Sequence, residues 1–167
     1  MTYFPKIQFS DRKLDVDIAQ LQGLFNLAAF WAKNRSLEDL AIAIANSDPV
    51  ITMWDSSDTL SVSTSANRLI GFARGTSDGI YRATIWDVVI HPEYRGAGLG
   101  SKLVETVLSH PKMNKVERVY LMTTHQQKFY ERIGFKANST TTMVLHNPSP
   151  QNSGILDEIQ YPEAIRG

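Results

Sequence analysis

The chain has 167 residues, 43% of them hydrophobic, and 17 Lys plus Arg balance 17 Asp plus Glu, so its formal charge is zero. That length suits one domain with a real core, and the balanced charge offers no basic field to a nucleic acid. No cysteine is present, which excludes disulfides, zinc–thiolate sites and a cysteine nucleophile.

The opening MTYFPKIQFSDRK lacks an apolar stretch flanked by positive charge, so it does not read as a signal peptide. No apolar run reaches the ~18 residues that a membrane span needs. The expectation is a soluble, cytoplasmic protein without membrane contact.

Ile7 to Phe9 reads as a short strand. From Val16 to Trp31 the apolar residues Ile18, Leu21, Leu24, Phe25, Ala28 and Trp31 recur at helical spacing. Ser36 is placed to cap a second helix over Leu37 to Ala45, with Asn46 near its end. VITMW after Pro49 reads as a strand. The run SSDTLSVSTSAN reads as a hairpin or a surface segment. Arg68 to Arg74 is a strand, TSDG a turn, and Tyr81 to Ile90 a longer strand. A third helix starts near Gly98, with Leu99, Leu103, Val104, Val107 and Leu108 on one face. Glu117 to Met122 is a strand. Gln126 to Ile133 is a short helix stopped by Gly134. Thr141 to His146 is a last strand. The expected domain is 1–147, with 148–167 as a C-terminal extension. Helices and strands mix without strict alternation, the pattern of an α+β or α/β fold with a mixed sheet.

Trp86 to Lys102, WDVVIHPEYRGAGLGSK, carries the chemistry. A strand, a proline turn, a glycine-rich loop and a helix start follow one another, an order that aims bare N–H groups at one point and suits phosphate. The P-loop pattern fails, because Gly100 is followed by Ser101 before Lys102. The dinucleotide pattern lacks its third glycine, where Ser101 stands. Arg-x-x-Gly-x-Gly is matched in full by Arg95, Gly98 and Gly100. A second block, Phe129-Tyr130-Glu131-Arg132-Ile133-Gly134-Phe135, follows after a helix and a strand. Taken singly, the first block reads as a tight connection and the second as core packing with a helix stop.

Together, in this order, they resemble the GNAT superfamily of N-acetyltransferases. The resemblance spans about Leu69 to Phe135 and is closest to the cyanobacterial and plastid branch, which includes serotonin N-acetyltransferases. It implies an α+β fold, a twisted and mostly antiparallel mixed sheet flanked by helices, with strands splayed at the site of acetyl-coenzyme A. It implies that Arg95, Gly96, Ala97, Gly98, Leu99, Gly100 and Ser101 receive the pyrophosphate. Val88, Val89 and Ile90 would hold the pantetheine arm, one of their N–H groups polarising the thioester carbonyl, with Phe129 also on the cofactor side. Tyr130 is the implied general acid for the leaving thiolate.

The general base is less well marked. Positions that hold Glu or His in many members carry Thr84 and Trp86 here, and Thr123 stands seven before Tyr130. A water chain ending at Asp87 or His125 is the alternative, and Asp87 inside an apolar strand draws notice because a buried carboxylate needs a partner. Period-two alternation places Thr84, Trp86, Val88 and Ile90 on one face of the strand and Ile85, Asp87, Val89 and His91 on the other. His91, before Pro92, reads as a turn residue. The four histidines are scattered, so no metal site is expected.

The implied reaction moves acetyl from acetyl-CoA to a primary amine by direct attack in a ternary complex. An arylalkylamine such as serotonin and a protein lysine or N-terminal amine both remain open as acceptor. Phe25, Trp31, Trp54 and Trp86 could line the acceptor cleft, although helical spacing already explains Phe25 and Trp31 as core. A homodimer is compatible with the resemblance. A rival reading is a non-catalytic acyl-CoA sensor or scaffold, and a third is a nucleotide-binding domain.

Overall fold

The computed structural model describes residues 6–57, 67–138 and 142–147. Five strands form one sheet in the order β1 (Ile7–Ser10), β2 (Val50–Asp55), β3 (Arg68–Ser77), β4 (Arg82–Ile90) and β5 (Arg118–Tyr120). The first four pair antiparallel and β4 pairs with β5 in parallel. The helices are α1 (Ile18–Ala28), α2 (Leu37–Ala45), α3 (Leu99–Ser109) and α4 (Gln127–Ile133). This is the expected mixed, mostly antiparallel α+β arrangement.

Strand alternation divides the apolar residues between two cores. One packs Leu21, Leu24 and Phe25 of α1 and Leu40 and Ile44 of α2 on Val50, Leu69, Phe72 and Val89. The other packs Leu103, Val104 and Val107 of α3 on Ile51, Met53, Ile70, Ala73, Ala83 and Ile85. Local signals set the helix limits. Asp17 accepts from Gln20 N–H at 3.0 Å, and Ser36 accepts from Asp39 N–H at 3.0 Å, each relieving an unpaired donor of a first turn. Gly134, at φ 111°, ends α4.

Several expectations need correction. The first helix stops at Ala28, because Ala29 is extended (φ −126°, ψ 90°), and Phe30–Ala32 form a separate 3-10 turn. Trp31 therefore leaves the helical stripe and is 45% exposed, whereas Phe25 is core. The strand expected over Thr141 to His146 is not formed in 142–147, and Thr141 itself lies outside the described residues. A β-rich composition makes a strand only where a ladder partner takes its N–H and C=O groups; here Met143, Val144 and Leu145 are exposed. Strand β5 is shorter than Glu117 to Met122.

The alternation expected for β4 breaks at a bulge. Phe72 pairs with Val89 and Arg74 with Trp86, so Asp87 and Val88 together oppose Ala73. One extra residue shifts the phase. Val88 and Ile90 consequently join Ile85 on the α3 face, and Val89 faces α1 and α2.

The chain divides into the compact unit Met1–Phe135 and a second unit, Lys136–Gly167. Most of the SSDTLSVSTSAN segment, and residues 148–167, expected as an extension, lie outside the described residues.

Candidate active site

Strands β4 and β5 pair only at Arg82–Arg118, Ala83–Val119 and Thr84–Tyr120. Beyond Thr84, β4 runs on to Ile90 while β5 has ended, so among the described residues that edge of β4 has no ladder partner. His91 N–H donates to Ile70 O on β3 at 2.7 Å. Since successive N–H groups along a strand point to opposite edges, those of Ile90 and Val88 point to the unpaired side. An extended amide-containing arm fits such an edge as a missing strand fits a sheet.

Strand β4 leads through a 3-10 turn, Pro92–Tyr94, to the glycine loop. Gly96 and Gly98 lie at φ 84° and 75°, a left-handed backbone that favours glycine. No atom lies within 4 Å of a Cβ built on either. Lys102 N–H, bonded to Gly98 O at 3.2 Å, is the first to close the helical ladder. Among the described residues no backbone acceptor meets the N–H groups of Gly96, Ala97, Gly98, Leu99, Gly100 and Ser101. With the positive end of α3 behind them, donors arranged in this way suit an anion.

Two members of the motif also make contacts that the sequence did not indicate. Arg95 directs its Nε to Ile90 O at 3.1 Å and its Nη2 to Ala28 O at 3.4 Å, so its guanidinium pins the loop to β4 and α1. Gly100 is closely packed: a Cβ there would stand 3.3 Å from Phe129 Cζ and 3.9 Å from Ile90 Cγ1, so the ring would have to yield slightly. Phe129 thereby docks α4 on the first turn of α3, and Tyr130 follows it in the chain.

The Tyr130 ring is flanked edge-on by Phe129 at 4.9 Å and Phe135 at 5.8 Å. Burial raises its phenol above the usual value of 10.0, because a phenolate loses hydration there. Among the described residues its hydroxyl has no hydrogen-bond partner, and it is not sealed from solvent. A protonated donor with an open position results.

Asp87 occupies the bulge at φ 54°. Its Oδ2 accepts from Arg74 Nε at 2.7 Å and Arg35 Nη1 at 3.0 Å, and its Oδ1 from Trp31 Nε1 at 3.3 Å. Arg82, five residues earlier on the same strand, pairs with Glu117 at 3.5 Å. Trp86 Nε1 donates to Thr76 at 2.8 Å, and Thr123 Oγ1 caps the turn before α4 by accepting from Gln126 N–H at 3.1 Å. Trp31 stacks edge-on with Phe30 at 5.2 Å, and Phe30 faces His125 at 6.3 Å. These rings make an exposed aromatic surface tied to the bulge through the Trp31 indole.

Sequence reasoning missed the supports. His91 Nδ1 accepts from Glu93 N–H at 3.3 Å, while Arg68 Nη2 lies 2.9 Å from Nε2. Desolvation, then the nearby Arg68, lowers the His91 pKa from 6.5. Tyr94 donates to buried Asp55 at 2.6 Å, tying the 3-10 turn to β2. Arg74 could have been found: an arginine closing an apolar strand, with an aspartate inside the next, signals a buried ion pair. Among the described residues no group of three His, Cys, Asp or Glu is placed to hold a metal.

The acetyltransferase (GNAT) domain family matches residues 56–137. The uncharacterized N-acetyltransferase Ycf52 of Pyropia yezoensis is 33% identical over 135 residues, covering 78% of this chain and 73% of the relative. GCN5-related N-acetyltransferase 2, chloroplastic, of Arabidopsis thaliana is 36% identical over 135 residues, covering 74% of this chain and 52% of the relative. Among solved structures, a GNAT-family protein of Xanthomonas campestris pv. campestris superposes with a TM-score of 0.70 at 26% identity, covering 89% of this chain and 96% of the other.

Proposed function

The chain belongs to the GNAT acetyltransferases, and from that premise we propose that it transfers acetyl from acetyl-CoA to a primary amine by direct attack in a ternary complex. Enzymes of this family are acetyltransferases that generally use acetyl-CoA. The observation that carries the reading is the convergence of three features. Among the described residues these are the N–H groups of 96–101 without a backbone acceptor, the edge of β4 beyond Thr84 without a ladder partner, and the hydroxyl of Tyr130 without a hydrogen-bond partner, on a helix that Phe129 docks on the first turn of α3.

In this reading Gly96, Ala97, Gly98, Leu99, Gly100 and Ser101 hold the pyrophosphate through backbone N–H groups and the Ser101 hydroxyl, with Arg95 bracing the loop. Val88, Val89 and Ile90 hold the arm, and an N–H from Val88 or Ile90 polarises the acyl carbonyl. Acetyl-CoA supplies an activated acyl group with a thiolate leaving group. Tyr130 Oη gives that thiolate its proton. Thr84, Trp86 and Thr123 offer no carboxylate or imidazole at the positions considered for a base, so the acceptor ammonium gives its proton to water and the neutral amine then attacks. The exposed Phe30–Trp31 surface favours an acceptor that carries an apolar group.

The test pairs calorimetry with turnover. Acetyl-CoA is titrated into the full chain, then thiol release is followed with tryptamine, serotonin and a lysine-containing peptide. Saturable heat with thiol release from one of these supports the reading. No heat from acetyl-CoA overturns it. Heat without release from any amine would favour a binding module.

A further inference from the structure

We infer that Asp87 is a positioning residue whose carboxylate clamps the left-handed turn of the β4 bulge to Arg74, Arg35 and Trp31, and thereby aims the following backbone N–H groups at the acyl carbonyl. The inference rests on the reading that β4 carries the acetyl donor.

Only Asp87 and Asn34 among the described non-glycine residues have positive φ. A residue with a Cβ keeps that backbone where its surroundings over-determine it. They do so here. The Asp87 side chain is 6% exposed, with Arg74 and Arg35 converging on one oxygen and the Trp31 indole on the other. Arg74 is held in turn by Ser47 Oγ at 3.1 Å, and Ser47 donates to Ala43 O at 2.7 Å. The Arg74 guanidinium also lies over the Trp86 ring at 5.7 Å, and that of Arg35 over Phe25 at 5.6 Å. One carboxylate thus joins β3, β4, α2 and the 29–36 connection.

This arrangement does not suit a general base. Both oxygens already accept from N–H donors, so an ammonium could reach one only by displacing an arginine or the indole. It does suit a clamp. The bulge turns Val88 and Ile90 to the α3 face and directs their N–H groups away from β3. A straightened β4 would give that face to Val89 instead. The same bonds seat Trp31, so the donor strand and the acceptor-side aromatic surface are set by one group.

The test uses acetyl-CoA labelled with 13C at the acyl carbonyl, bound to the full-length wild type, Asp87→Asn and Arg35→Ala. Asparagine tolerates left-handed backbone, so Asp87→Asn removes the charge and leaves the turn available. Arg35 is about one-third exposed, so its truncation tests the clamp even should Asp87→Asn not fold. In the wild type the bound carbonyl resonance moves downfield of the unbound thioester, because a polarising N–H draws electron density from carbon. In both variants the dissociation constant is unchanged and the displacement is at least halved. Equal displacement in the wild type and either variant overturns the inference alone. A wild type that binds no acetyl-CoA overturns the donor-site reading and the inference with it.

Discussion

Tyr130 shows how much a single side chain depends on its neighbours. Its place in FYERIGF is visible in the sequence, but the proposed role as an acid rests on burial against Phe129 and Phe135 and on a hydroxyl that finds no hydrogen-bond partner among the described residues. Tyr130→Phe is expected to lower kcat by about a hundredfold, a usual contribution of a general acid, with acetyl-CoA affinity by calorimetry unchanged. Because burial raises the phenol, Tyr130 stays protonated through the range in which the acceptor loses its proton. The rate should therefore climb with pH towards the amine's own pKa, with no falling limb from Tyr130 below about pH 10. A fall in kcat between pH 8 and 9, absent from Tyr130→Phe, would show that the phenol ionises early. At Gly98 a valine would meet left-handed strain and project into the proposed pyrophosphate site. Gly98→Val is expected to abolish the heat of acetyl-CoA binding while the circular dichroism spectrum persists.

At the scale of elements, the supports of the glycine loop are tertiary. The 3-10 turn that presents it is tied to β2 by the Tyr94–Asp55 hydrogen bond, and its first turn is capped by His91. Tyr94→Phe removes a bond to a carboxylate and should lower stability by about 1.5–3 kcal/mol, measured by urea unfolding. Ser36→Ala at the cap of α2 should cost about 1 kcal/mol in the same assay and leave acetyl-CoA binding unchanged. That cap was legible because it is a local device, one hydroxyl and an N–H three residues on. The end of α1 was not. The stripe through Trp31 continues the helical period, yet Ala29 turns extended so that Trp31 can reach Asp87, 56 residues away. The bulge in β4 escaped for a similar reason. Its residue is an aspartate rather than a glycine, and the arginines that hold it lie on another strand and on a connection.

Over the whole molecule, His91 links the fold to pH. Its imidazole is buried between Arg68, Arg95 and Glu93, and the desolvation and the arginines outweigh the glutamate, so the folded state disfavours the protonated ring. The unfolded chain then binds more protons below about pH 6.5. Stability from this group is full above that value and is lost as pH falls through it. The urea midpoint should drop between about pH 7 and pH 5.5, and His91→Gln should flatten that drop; an equal drop in both proteins would place its source elsewhere.

The glycine loop with its helix, the FYERIGF helix with its stop, and the family to which they belong could all be read from the chain alone. Those features are local: backbone freedom, helical period and capping act between residues a few positions apart. The placement of Arg95 on Ile90 and Ala28, the packing role of Gly100 against Phe129, and the clamp on Asp87 appeared only with the tertiary structure. Each joins groups far apart in sequence, and whether a charged or small residue is a ligand contact or a brace depends on which partner the fold brings within bonding distance.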